Sequence, residues 1–73
     1  MKVYTLTETH DYSASYLLGV YATAVRAKEA CWQEAEAYPH MKDMMESTED
    51  GNSLSIRLHT VVFEVDEYEV ISA

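Results

Sequence analysis

An α+β fold is predicted: a small antiparallel sheet of three to four strands in ββαβ order, with one main helix packed on one face. Three observations carry this. Period-two alternation of β-favouring residues opens the chain, an alanine-rich helical period occupies its middle, and alternating apolar residues close it. With 48% hydrophobic and 25% charged residues, two glycines and one proline, the composition is that of a folded globular chain. At 73 residues, the whole of 1–73 reads as a single domain, because chains this short rarely divide into two cores.

Each element has its own signal. Lys2 to Thr7 sets Val3, Thr5 and Thr7 on one side and Tyr4 and Leu6 on the other, the pattern of a strand. Glu8 to Ser15 has the composition of a surface loop, and Tyr16 to Ala22 follows as an apolar, Tyr-rich run with the length of a buried strand, so the two strands suggest a hairpin. Gly19 within that run marks either a bulge or a point where another backbone or a large side chain comes close. Thr23 stands where a helix N-cap would, ahead of AVRAKEACWQEAEAY, and six alanines fall between positions 22 and 37. Helical spacing places Ala24, Ala27, Cys31, Ala35 and Tyr38 on one stripe, flanked by Val25 and Trp32 and opposed by Arg26, Glu29, Gln33 and Glu36. Pro39 ends or kinks this helix by disfavouring the α region at Tyr38.

Beyond Pro39, a short second helix is expected from about His40 to Glu46, with Met41, Met44 and Met45 at helix spacing. Ser47 to Ser53 reads as turn material, with Asp50-Gly51 as the reversal. Leu54, Ile56 and Leu58 then alternate with polar residues before the phase changes into Val61, Val62, Phe63 and Val65. Burying Tyr68 and Val70 together with Phe63 and Val65 needs one extra residue, so Asp66-Glu67 is expected to form a β-bulge. Leu54 to Val70 is too long for one ordinary strand and is either two strands or one sharply bent one.

A domain of about 60 residues buries only roughly 60% of its unfolded surface, so extra burial would help this chain. Cys31, the single cysteine, cannot form an internal disulfide, and no zinc-type ligand spacing links it to His10, His40 or His59. Self-association as a homodimer is the remaining device. The lone thiol and an opening, MKVYTLTETH, without the basic and apolar regions of a secretory signal point to the cytoplasm. The apolar run from Tyr16 falls far short of the ~20 residues a membrane-spanning helix needs.

Charge divides the chain. Met1 to Gln33 holds three acids (Glu8, Asp11, Glu29) and three bases (Lys2, Arg26, Lys28), whereas Glu34 to Ala73 holds ten acids and two bases, so the whole net charge of −8 lies in the second part. Phosphate neutralisation needs clustered Lys and Arg, which argues against direct binding of nucleic acid or anionic membrane and points to a basic protein partner.

Catalytic and metal motifs fail on chemistry. Glu46, Thr48, Asp50 and Gly51 echo a calcium loop, but the twelfth position falls on Arg57, which supplies no carboxylate. Cys31 sits mid-helix on the core stripe, where a thiol behaves as a small inert hydrophobe. With two glycines there is no glycine-built phosphate cradle, and no nucleophile elbow is present. No enzymatic activity, metal or cofactor is expected.

MKVYTLT, a loop rich in Asp and Tyr, LLGVYATAVRAKEA leading into a helix, and a closing FEVDEYEV resemble a group of small uncharacterised bacterial and phage proteins. Those share an MKVY-like first strand, a G-V-[YF]-[SA]-[ST]-x-x-x-A-x-x-A strand-to-helix junction and an F-x-I-x-E-Y-E-L-like last strand. The likeness covers residues 1–7, 17–31 and 63–70; Val25-Arg26 replace the charged pair usual there, and Pro39 to Thr60 departs from the group altogether. The resemblance implies a ββαβ sheet with one helix across a face and a phage or mobile-element origin, and it implies no chemistry.

The expectation for function is a non-enzymatic, acidic, phage-type protein that binds and inhibits a host nucleic-acid-handling or defence protein, anti-CRISPR action included. The expected contact surface is acidic: Asp43, Glu46, Glu49, Asp50, Glu64, Asp66, Glu67 and Glu69, imitating nucleic-acid phosphates. Alternate strand residues lie ~6.6 Å apart against one phosphate per ~3.4 Å along a DNA strand, so one acidic row gives half the density and a second row must contribute. Tyr12, Tyr38, Met41, Met44 and Met45 are expected to add aromatic and thioether contacts. The rival is a homodimeric structural or accessory module whose acids only maintain solubility. A third candidate is a small-ligand pocket between helix and sheet near Trp32.

Overall fold

The computed structural model describes residues 1–10, 14–38 and 45–71. The fold is α+β, and the described residues form five strands and one helix: β1 (Lys2–His10), β2 (Ser15–Tyr21), α1 (Ala24–Glu36), β3 (Met45–Asp50), β4 (Ser53–Leu58) and β5 (Val61–Glu69). All pairings are antiparallel, and the order across the sheet is β2-β1-β5-β4-β3. The element order is therefore ββαβββ, with two edge strands, β2 and β3, of contrasting chemistry.

Alternation decides which side chains meet the helix. Tyr4 and Leu6 of β1, Leu54, Ile56 and Leu58 of β4, and Val61, Phe63 and Val65 of β5 are buried together with Ala27, Cys31 and Ala35 of α1. Small residues on the helix stripe let its backbone lie close to the sheet, as the spacing predicts. The Thr23 side chain caps the helix by accepting from the Arg26 amide at 3.2 Å. Its last turn tightens through Ala37 N–H to Glu34 carbonyl and Tyr38 N–H to Ala35 carbonyl, at 3.2 and 3.1 Å.

Several sequence expectations are corrected. The strand count is five rather than three to four. Glu8–His10 and Ser15, expected in a loop, extend the β1–β2 hairpin. Met45 and Glu46, expected at the end of a second helix, begin strand β3; the rest of that segment, with Pro39, lies outside the described residues. Residues 47–50 are strand rather than turn, and the reversal is Gly51-Asn52, with Gly51 at φ 58°. Leu54 to Val70 is two strands, β4 and β5, joined through His59-Thr60 with His59 at φ 50°.

The expected bulge at Asp66-Glu67 is absent: β5 pairs with β1 without interruption from Val61↔His10 to Glu69↔Lys2. Glu67 and Glu69 keep the inward phase of Val65, yet both are exposed near the end of the sheet. The irregularity falls in the β1–β2 ladder instead, where the register shifts between Leu6 and Thr7 and leaves Leu18 as the extra residue on β2. Next to it, a Cβ on Gly19 would stand 2.8 Å from the Tyr21 hydroxyl and 2.9 Å from its ring carbons. Gly19 therefore accommodates both a neighbouring bulge and a ring lying over its own backbone.

Candidate functional site

The helix covers one face of the sheet, and no described element covers the opposite, open face. Register and alternation assign the open face column by column: Leu17 and Val20 on β2; Val3, Thr5, Thr7 and Thr9 on β1; Val62, Glu64, Asp66 and Tyr68 on β5; Ser55 and Arg57 on β4; Glu46, Thr48 and Asp50 on β3. Cross-strand rows follow, such as Leu17–Thr7–Glu64–Ser55–Thr48, and Thr9–Val62–Arg57–Glu46. Acids thus occupy two columns, β5 and β3, either side of β4. Arg57 stands between them, directly opposite Glu46, and its guanidinium also donates to the His59 carbonyl at 3.3 Å.

The eight acids expected to form one surface divide. Glu46, Asp50, Glu64 and Asp66 share the open face. Glu49, Glu67 and Glu69 point to the helix side and meet the molecule's own cations: Glu49 accepts from Lys28 at 2.7 Å, Glu67 lies 3.2 Å from the Lys2 ammonium, and Glu69 lies 3.4 Å from the N-terminal amine. Lys28 also donates to the Gly51 carbonyl at 2.6 Å, fastening the helix to the β3–β4 hairpin. Asn52 donates to Glu67 at 2.8 Å, and this bond, followed by Lys2, holds the Glu67 carboxyl below its usual value. Asp43 lies outside the described residues.

The expected aromatic and methionine contacts also change. Tyr38 is partly buried; its ring packs on Phe63, with centroids 6.0 Å apart, and its hydroxyl donates to Glu8 at 3.3 Å. Burial, then Glu8, pushes the Tyr38 phenol upward in pKa. Met45 packs partly buried against the core, so neither residue projects from the surface as a free contact. Tyr12, Met41 and Met44 lie outside the described residues.

The contiguous run of exposed apolar side chains within one strand is on β2, which the sequence marks as a buried strand; Val25, Tyr68, Val70 and Ile71 are exposed elsewhere. Tyr16, Leu17, Leu18 and Val20 are exposed by 51, 61, 38 and 55%, because β2 is an edge strand and Leu17 and Val20 face away from the helix. The signal was present as an apolar run without a single charge, but periodicity cannot say which element covers such a run. A groove of about 620 Å³ flanks this edge on the helix side, lined by Val20, Tyr21, Ala22, Thr23, Arg26, Glu29, Ala30 and Gln33. Trp32 is not part of it; that ring packs partly buried against the core.

The remaining chemistry is quiet. Cys31 is fully buried, and desolvation pushes its thiol up to about 12, which keeps it protonated and unreactive. Among the described residues no group of three or more His, Cys, Asp and Glu is placed to hold a metal ion, and no helix is long and apolar enough to cross a membrane. Compared with known protein families, curated proteins and solved structures, the chain matches none.

Proposed function

We propose that this is a non-enzymatic binding protein whose open sheet face docks a basic groove on a nucleic-acid-handling or defence protein of a bacterial host and so inhibits it. One observation carries the reading: Glu64 and Asp66 on β5 and Glu46 and Asp50 on β3 form two acidic columns on the face that no described element covers. Two strand spacings separate the columns by ~10 Å, and the four carboxylates span ~13 Å along the strands. That is three intervals, or about one carboxylate per 4.4 Å along the strands, denser than the ~6.6 Å of one column and nearer the ~3.4 Å phosphate spacing, with the Arg57 cation standing between the columns. The second row that one strand edge lacks is supplied by β3. The phage-type origin implied by the resemblance belongs to the same proposal.

Complementary charge would speed encounter and select partners, while the threonines of β1 and the half-exposed Tyr68 would supply close contact beside the β5 column. The test compares capture of proteins from a bacterial lysate by the unmodified chain and by two variants. One carries Glu46→Gln, Asp50→Asn, Glu64→Gln and Asp66→Asn; the other carries Glu29→Gln, Glu34→Gln and Glu36→Gln on exposed positions of the helix. Nucleic-acid-binding proteins retained by the unmodified chain and the helix variant, lost by the open-face variant and released by competing DNA, support the reading. Equal retention by the open-face variant, or equal loss by both, overturns it.

A further inference from the structure

We infer that β2 is the self-association edge of this protein, pairing antiparallel with β2 of a second copy to form a continuous ten-stranded sheet. An edge strand offers a row of unpaired N–H and C=O groups, and soluble proteins usually protect such edges with charge. The two edges of this sheet differ in just this respect. β3 (MESTED) carries Glu46, Glu49 and Asp50, so two copies meeting there would oppose acid to acid. β2 (SYLLGVY) carries no charge and exposes Tyr16, Leu17, Leu18 and Val20.

The surroundings of β2 favour a second copy over an unlike partner. The net charge of −8 belongs entirely to residues 34–73, whereas β2 and the first half of α1 lie in the neutral part of the chain. Two acidic copies meeting through this edge therefore bring no charged β2 side chains against one another, and only the net −8 of each copy opposes them at a distance. The groove beside it carries one base and one acid, Arg26 and Glu29, so a twofold operation can bring opposite signs together there. A contiguous apolar strand of this kind also supplies the added burial that a 73-residue core without a disulfide lacks.

The geometry has a consequence for the open face. Antiparallel pairing of identical strands places the twofold axis perpendicular to the sheet, so both helices lie on one side and both acidic faces on the other. Leu17 and Val20 of each copy would meet in a central apolar strip, with the two β5 acidic columns ~24 Å apart across it. The dimer does not depend on the inhibitor reading, and its test uses this protein alone.

Sedimentation equilibrium of the unmodified protein should show a concentration-dependent monomer–dimer mass. The double variant Leu17→Glu, Val20→Glu should raise the dimer Kd by about a hundredfold or more, since like charges are forced face to face, while Thr48→Glu on the opposite edge leaves it unchanged. Amide exchange of the unmodified protein provides a measurement that needs no variant: β2 amides should gain protection as concentration rises, and β3 amides should not. A monomer at every concentration, a dimer unaffected by the β2 charges, or concentration-dependent protection on β3 instead of β2 would each overturn the proposal.

Discussion

Glu67 continues the inward period of β5 to the end of the sheet, where donors take the place of apolar neighbours. Asn52 donates to it at 2.8 Å and Lys2 stands at 3.2 Å, and both act to stabilise the ionised carboxylate. A carboxyl depressed in the folded state contributes stability that is fully present above its unfolded value, 4.5, and is lost as pH falls through the folded value. Replacing Asn52 by Ala should therefore raise the Glu67 pKa toward 4.5 and flatten the loss of stability in acid. His59 is the one non-glycine residue with positive φ among the described residues, so Asn52 has a backbone that alanine adopts without strain. Carboxyl-carbon NMR titration checks this; an unchanged Glu67 midpoint in Asn52→Ala would show that the Asn52 hydrogen bond does not set it.

At the scale of elements, legibility followed burial by the chain's own core. The helix was readable because Ala27, Cys31 and Ala35 recur at helical spacing behind a threonine cap, and β1, β4 and β5 because their inward residues alternate. β3 was hidden: apart from Thr48, Glu46 to Asp50 are poor strand formers, every side chain is exposed, and they form a strand through the β4 ladder and the Lys28 clamp on Glu49 and Gly51. Glu46 and Asp50 are among the acids the sequence singles out, but their alignment as a second column was unreadable for the same reason, since it depends on β3. The β3–β4 reversal depends on Gly51, whose φ of 58° lies in the left-handed region while a Cβ there would meet nothing within 4 Å. Gly51→Ala thus isolates backbone cost from packing, and should lower stability by about 1 kcal/mol, or roughly 4–8 °C in Tm for a domain of this size. Thermal unfolding followed by circular dichroism measures it, and an unchanged Tm would mean the turn relaxes to another conformation.

Over the whole molecule, the two proposed surfaces differ in the force that drives them, and salt separates them. The open face would attract a basic partner through Glu46, Asp50, Glu64 and Asp66, an attraction between exposed charges that weakens as the Debye length falls from roughly 10 Å at 0.1 M to 3 Å at 1 M. The β2 edge would join two copies through apolar side chains and backbone hydrogen bonds, while the net charge of −8 on each copy opposes their approach from a distance. Raising salt screens that opposition and leaves burial intact. Dimerisation should accordingly hold or tighten between about 0.05 and 0.5 M NaCl, whereas association with a basic protein should weaken by about tenfold or more over the same range. Sedimentation of the protein alone and titration with a captured basic partner give the two slopes. Slopes of the same sign would mean that one kind of force drives both associations, and would remove the division between an apolar edge and an acidic face.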